Sequence, residues 1–174
     1  SLINSQTLIN NLSGSGTLTI GTKDLTINQN SFETYSGSMT GSGSFSKAGS
    51  GNLIFTGNLS GFTGLAKAKG GALWLNTTLG GSVNVEGGYF VGDGTVLGNV
   101  DVLSGTIGPG SGIGTMNVGG NFYLGPSTTF VTHVNNSGNN SLLNVLGTST
   151  IASNTTLRVI DYGSYPKFYT DYLI

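Results

Sequence analysis

Short runs in which apolar and polar residues alternate recur along the whole chain. Two of them are GTLTI at residues 16–20 and GSVNV at residues 81–85. The runs are about four to seven residues long, are rich in Val, Ile, Leu and Thr, and are bounded by Gly, Asn or Ser, which is typical of β-strands. No Gly-free stretch of about a dozen residues has the spacing of an amphipathic helix. The pattern therefore predicts an all-β protein.

The runs also resemble one another, since most read Gly-x-apolar-x-apolar, and such self-similarity indicates a repeat architecture. A β-sandwich would also give short strands at close spacing. Two features favour a solenoid instead. Connections of one or two glycines are too short for long crossovers, and Asn and Gly, which tolerate a left-handed backbone, stand at nearly every corner. We predict a parallel β-helix of about seven or eight rungs, with about 20–25 residues in each.

Alternation within the runs predicts which side chains face the interior, because successive side chains of a strand point to opposite faces. The predicted core residues are Leu53, Phe55, Leu73, Leu75, Ile107, Ile113, Met116 and Val118. Leu53 and Leu73 occupy corresponding positions of successive units. We expect them to stack on adjacent rungs.

The densest glycine segment is GTIGPGSGIGTMNVGGN at residues 105–121. A phosphate-binding loop would need Gly-Lys-Ser/Thr and a following helix, and neither is present. No lysine or arginine lies between Lys69 and Arg158. We interpret the segment as solenoid corners, in which Gly114 is expected to need a positive φ. The predicted corner residues are Gly105, Pro109, Gly110, Gly114, Gly120 and Asn121.

Composition narrows the possible functions. Only 7% of the 174 residues are charged, the formal net charge is −1, and there is no cysteine. A chain this close to neutral has no electrostatic footprint for nucleic acid, so nucleic acid is not an expected partner. The lack of cysteine excludes disulfides and thiolate metal sites. No cofactor is expected.

Catalytic candidates are few. His133 is the single histidine, and no Gly-x-Ser-x-Gly motif accompanies it. It alternates with apolar residues in FVTHV, which predicts an outward-facing strand residue. Asp93, in VGDGT, is interpreted as a turn residue, because the repeated Asp-containing nonapeptide of calcium-binding solenoids is missing.

Two further charged groups leave alternatives open. Glu86 and Asp101 could lie one rung apart with Asp93 between them, as in a polysaccharide-active β-helix, but paired acids in such enzymes come with several basic partners. Lys47, Lys67 and Lys69 are interpreted as a solvated basic corner. We predict that the chain is not an enzyme.

Two segments carry a resemblance to a known family. GSGSFSKAGSGNLIFTGNLSGFTGLAKAKGGALWLN, at residues 41–76, resembles the autotransporter-associated β-strand repeat. GTIGPGSGIGTMNVGGN resembles the segment near the C-terminal end of autotransporter passengers, with Gly112 where Ser is common and Met116 where Leu is common. The residues that match the repeat in order are Phe45, Lys47, Gly49, Gly51, Leu53, Phe55, Gly57, Phe62, Thr63, Gly64, Gly71, Leu73 and Leu75.

The resemblance implies a right-handed parallel β-helix that forms part of a type V secreted passenger on the surface of a Gram-negative bacterium. Its expected partner is a C-terminal β-barrel translocator that is absent from this sequence, which is interpreted as a fragment. In the family the last rungs fold first and template the others. We therefore expect two parts of one solenoid, residues 1–80 with the strand repeat, and residues 81–174 with an autochaperone-like role.

The resemblance thus implies a non-catalytic stalk that supports secretion and folding at the cell surface and contributes to virulence or adhesion. The alternative is an adhesin module that binds a host receptor or glycan directly. Five aromatic residues near the end of the chain are predicted to close the open end of the solenoid. They are Tyr162, Tyr165, Phe168, Tyr169 and Tyr172.

Overall fold

A computed structural model describes residues 6–161 and 169–173 of the chain, and it contains only strands and turns in those ranges. Within them no helix is long and apolar enough to cross a membrane. The strands are β1 Gln6–Asn10, β2 Thr17–Gly21, β3 Asp24–Asn28, β4 Phe32–Tyr35, β5 Ser38–Gly41, β6 Ser44–Ala48, β7 Asn52–Phe55, β8 Leu65–Ala68, β9 Ala72–Leu75, β10 Thr78–Leu79, β11 Ser82–Gly92, β12 Thr95–Val96, β13 Val100–Pro109, β14 Thr115–Val118, β15 Phe122–Leu124, β16 Thr129–Val134, β17 Leu142–Val145, β18 Ser149–Ile151, β19 Thr156–Asp161 and β20 Tyr169–Leu173.

The strands stack into three faces, and strands on each face pair in parallel. The first face contains β1, β3, β6, β8, the start of β11, the start of β13, β15 and β18. The second contains β4, β7, β9, the ends of β11 and β13, β16 and β19. The third contains β2, β5, β10, β12, β14 and β17. Its two sheets are connected through residues 59–62, which form isolated bridges from Phe62 to Gly41 of β5 and from Leu59 to Leu79 of β10. The predicted all-β solenoid is confirmed.

The described residues make about six turns, against the seven or eight predicted. The number could not be read from chain length because the coils differ in length. Asn99 contacts the residue 17 positions earlier, whereas Thr148 contacts the residue 27 positions earlier. Longer connections leave the coil at its corners, so the stacked strands keep their register.

Apolar side chains from all three faces fill the interior. Leu53 and Leu73 are paired in register and are 0% and 2% exposed. Phe45 lies between Phe55 and Phe62, with ring centroids 5.6 and 5.3 Å away. The other predicted core residues that are buried are Phe55, Leu75, Ile107, Met116 and Val118.

Ile113 departs from the predicted core, because it is 36% exposed. It lies in the bend before β14 rather than in a strand. Strand alternation does not hold in a bend, and the neighbouring Gly112 is buried there instead. The prediction for Ile113 was therefore wrong.

A column of glycines, one before each first-face strand from β6 to β18, forms the corner that leads into the first face. The members of this glycine ladder are Gly43, Gly64, Gly81, Gly98, Gly120 and Gly147. A Cβ on any of the last five would lie less than 3.0 Å from the carbonyl oxygen of the preceding ladder glycine. Each of these carbonyls also accepts a backbone hydrogen bond from the next coil, at 3.0–3.1 Å. The corner can pack this tightly only because no side chain intervenes.

The last described strand reverses the direction of the sheet. β20 pairs antiparallel with β19, so that Arg158 stands opposite Asp171. Next to this end, a cavity of about 320 Å³ lies among apolar residues of the interior, including Phe122, Phe130 and Leu143. Of the aromatic residues predicted to close the solenoid, Tyr162, Tyr165 and Phe168 lie outside the described residues, and only the backbone of Tyr169 and Tyr172 is described. The predicted lid stays a prediction.

Candidate functional site

The predicted corner residues at 105–121 lie at successive bends of the chain. They are Gly105 inside β13, Pro109, Gly110 and Gly114 from the end of β13 to the start of β14, and Gly120 and Asn121 before β15. Gly105 and Gly110 have φ values of +93° and +80°, a region that favours glycine. Pro109 is the last residue of β13, and the Gly110 N–H beside it donates to the Gly92 carbonyl at 2.8 Å. Gly105 lies where β13 passes from the first face to the second, and Pro109 and Gly110 turn the chain from the second face towards the third.

Gly114 was expected to need a positive φ, and this expectation was wrong, since it is not among the residues with positive φ. The position needs glycine for space. A Cβ there would overlap the Asp93 carboxylate and would lie 2.8 Å from the Cα of Gly110. Asp93 itself is a corner residue, as predicted from its turn context, and its N–H donates to Asn76 Oδ1 at 3.4 Å.

Asn121 belongs to a ladder of side chains beside the glycine ladder. Its backbone N–H donates to Asn99 Oδ1 at 2.9 Å, and its own Oδ1 accepts from the Thr148 N–H at 3.0 Å. Asn99 in turn donates its N–H to Ser82 Oγ at 3.1 Å. Each bond joins one coil to the next, so this corner is held by side-chain bonds as well as by backbone bonds. Gly120 and Asn121 thus serve the stacking of coils.

The structure does not bring the candidate acidic residues together. Asp101 pairs in register with Asn84 and Tyr123, whereas Glu86 pairs with Ser104. The Glu86 carboxylate lies 3.5 Å from the Lys69 amine. Among the described residues, no group of three His, Asp or Glu side chains converges as a metal site would require.

His133 lies on β16 and lines a groove on the outside of the second face. Ser141 comes close to it, with Oγ 3.5 Å from His133 Nδ1. Ser141 is 5% exposed, and its hydroxyl donates to the Gly112 carbonyl at 3.0 Å and accepts the backbone N–H of His133 at 3.2 Å. Because it is buried and both its donor and acceptor roles are used, this hydroxyl joins β16 to the bend before β14 and is poorly placed as a nucleophile.

Lys47 was interpreted as part of a solvated basic corner, and for this residue the interpretation was wrong. Lys47 is 0% exposed, because it follows Phe45 at an interval of two and so points into the solenoid. Its amine donates to the carbonyls of Gly49, Gly51 and Gly70. Lys67 and Lys69 do point outwards.

Gln29 is a second buried polar side chain, at the corresponding corner of the preceding coil, and sequence reasoning missed it. It is 0% exposed. Its Oε1 accepts from the Leu12 N–H at 2.8 Å and its Nε2 donates to the Ser31 carbonyl at 3.3 Å. Gln29 follows Leu25 and Ile27 at intervals of two, just as Lys47 follows Phe45. The alternation that predicted the apolar core could therefore have predicted that Gln29 and Lys47 point inwards.

A shallow groove of about 400 Å³ crosses the outside of the second face over four successive coils. Its floor is Gly108, which lies in register beside Val91. Tyr89, which is 53% exposed, forms part of its wall, and His133 and Arg158 contribute polar groups. The groove exists because Gly108 has no side chain between larger neighbours.

Comparisons with known proteins show a partial similarity to an extracellular protein. No protein-family model and no solved structure matches the chain. The chain is 35% identical over 89 residues to an extracellular serine protease of Serratia marcescens. The similar region covers 51% of this chain but only 8% of that protein, so the chain corresponds to a small part of its relative's length. The structure and this similarity together describe a parallel β-solenoid that is similar to a segment of an extracellular protein.

Proposed function

We propose that this chain is a non-catalytic stalk segment of a bacterial autotransporter passenger, secreted to the cell surface. The observation that carries the proposal is the unbroken parallel stacking of coils, in which each ladder glycine packs directly on the one before. The similarity to part of an extracellular protein supports secretion. Such a stack supplies length and rigidity, because about six coils at about 4.8 Å each give a rod of roughly 30 Å.

The same stacking favours folding by addition of one coil at a time. A single coil cannot bury its apolar face alone, so each new coil gains stability mainly from the coil already formed. In a passenger that reaches the surface with its C-terminal end first, residues 81–174 would form the first template. Two long strands support this role, since β11 and β13 cross from the first face to the second without a break. Coils added on the outside would discourage the chain from sliding back.

The proposal predicts that Gly114→Val in the full-length protein lowers the amount of passenger displayed at the surface while leaving synthesis unchanged. The new side chain overlaps Asp93 and the backbone at Gly110, so the corner in the template cannot close. Surface display is measured by antibody labelling of intact cells, and synthesis by immunoblotting of whole cells. Thr115→Val is the matched control, because it introduces the same residue at an exposed neighbouring position.

A second arm tests the template directly. Residues 81–174 expressed alone should give the circular dichroism spectrum of a folded β-protein and should resist limited proteolysis better than residues 1–80. A disordered 81–174 fragment, or equal surface display of the Gly114→Val and Thr115→Val variants, would contradict the proposal that residues 81–174 form the folding template.

A second candidate function is glycan binding, and the groove on the second face favours it. An exposed aromatic ring beside polar groups is suited to stack on a sugar ring while hydrogen bonds orient its hydroxyls. On a glycan array, Tyr89→Ala should abolish any binding that the wild-type chain shows. Gly108→Ala should weaken it by filling the floor, where a Cβ would meet Val131 at 3.4 Å without overlap. Tyr123→Ala, on the first face, should change nothing. Equal binding by all variants would place the ligand elsewhere.

A further inference from the structure

The Lys47 amine lies at the point where two successive coils turn from the first face to the second. It donates to Gly49 at 3.1 Å and to Gly51, both in its own coil, and to Gly70 in the next coil at 2.6 Å. Three N–H donors of an ammonium group thus meet three carbonyl oxygens. Hydrogen bonds from a charged donor are stronger than those between neutral groups, and here they are shielded from water.

The side chains in register with Lys47 are apolar. In register on either side of Lys47 stand Ile27 of β3 and Ala68 of β8. The charged residues of those two strands, Asp24 and Lys67, alternate to the outside. Glu33, in the coil before, accepts a hydrogen bond from Ser31 Oγ at 3.0 Å, and the described residues include no ion pair between Glu33 and Lys47.

We propose that the Lys47 ammonium couples the coil at residues 44–62 to the coil at residues 65–79, so that the two open and close as one unit. The carbonyl groups that accept its hydrogen bonds are divided between the corner at 49–51 and the corner at 70–71. All three hydrogen bonds can therefore form only when both corners are folded. If coils are added from the C-terminal end, Gly70 is in place first, and the Lys47 amine then bonds the newly folded coil to it. This order rests on the proposed function, whereas the coupling itself does not.

The test is native-state hydrogen exchange of the full 174-residue chain, comparing wild type with Lys47→Met. In the wild type, slow amides of β6, β7, β8 and β9 should exchange through a common opening. In Lys47→Met, opening of β6 and β7 should increase at least about tenfold and should separate from that of β8 and β9, while β13 and β15 stay unchanged. Lys67→Met, on the outside of β8, is the matched control. Equal exchange in both variants, or a uniform loss of protection in every coil, would overturn the coupling.

A measurement on the wild-type chain keeps the test decisive if Lys47→Met does not fold. Under native conditions an amine-acetylating reagent should modify Lys23, Lys67 and Lys69 and spare Lys47 until the coil pair opens. Modification of Lys47 at the rate of Lys67 would show that the amine is not held between the corners.

A pH profile tests whether the Lys47 amine is shielded from water in the folded chain, as the coupling requires. Burial lowers the pKa of Lys47 to about 8 from 10.5. Between these values the unfolded chain binds a proton that the folded chain has lost, so wild-type stability should rise from about pH 8 to about pH 9.5. Burial raises the pKa of Tyr35 from 10.0, which opposes this trend only at higher pH. In Lys47→Met the rise should be absent, and a rise of equal size in Lys47→Met would contradict the assignment.

Discussion

Replacement of Leu53 by aspartate should lower the free energy of unfolding by about 3–5 kcal/mol, the usual cost of an uncompensated buried charge. Leu53 is 0% exposed and lies in register with Glu33 in one neighbouring coil and Leu73 in the other. No basic side chain is in register with the new carboxylate, the buried Lys47 amine already donates to three carbonyls, and Glu33 adds like-charge repulsion. A loss of this size is a large part of the total stability of an ordinary domain.

Urea denaturation followed by the fluorescence of Trp74, the single tryptophan, measures this effect close to its origin. Trp74 stands one coil away, in register with Ile54. Phe32→Asp is the control, since it introduces the same charge on the same face at a side chain that is 65% exposed. Leu53→Met, which conserves volume, should cost less than about 1.5 kcal/mol. Equal midpoints for the Leu53 and Phe32 aspartate variants would show that Leu53 does not face a closed interior.

The second large effect is expected at the glycine ladder, where Gly81→Ala should destabilise the chain by about 1–3 kcal/mol through overpacking. A Cβ at Gly81 would overlap the Gly64 carbonyl oxygen. The corner must shift to accept it. Two backbone bonds would then weaken, from Ser82 N–H to Gly64 and from Gly98 N–H to Gly81, both 3.0 Å long.

Gly16→Ala is the matched control and should have the opposite sign. Nothing lies within 4 Å of a Cβ at Gly16, and its φ is not positive. Alanine there should stabilise the fold by about 0.4–1 kcal/mol, because it restricts the unfolded chain. Thermal and urea unfolding of the two variants compare these outcomes. A Gly81→Ala variant as stable as Gly16→Ala would mean that the ladder corner has room for a side chain.

Much of the fold could be predicted because the strands and the tight corners depend on single residues and their nearest neighbours in the chain. Alternation along a strand places Leu53 and Leu73 on one face whatever surrounds them, and glycine is the residue that a tight corner needs. Gly105 and Gly110 follow the same logic, since their left-handed backbone is a property of one residue. Regular units of similar sequence then leave a solenoid as the simplest way to bury one face of each strand.

The corners were less predictable, because whether a corner side chain points into the solenoid or to solvent depends on the neighbouring coil. Ile113 belongs to an apolar series in the sequence, yet a bend turns it to solvent. Gly114 looked like a left-handed corner, but Asp93 of the preceding coil is what excludes a side chain. Ser141 was not noticed at all, since its role is to join Gly112 and His133, which the sequence separates widely.

The sequence by itself determined the strands, the glycine corners and the direction in which most side chains point, because these follow from the chemistry of a residue and its nearest neighbours. The tertiary structure alone decided the number of coils and the partners of Lys47 and Gln29. Alternation already directed both side chains inwards, but a charged or amide group is tolerated there only when backbone groups of its own coil and of a neighbouring coil converge on it. Which backbone groups converge depends on how residues about 20 positions apart are stacked, and no local pattern encodes that.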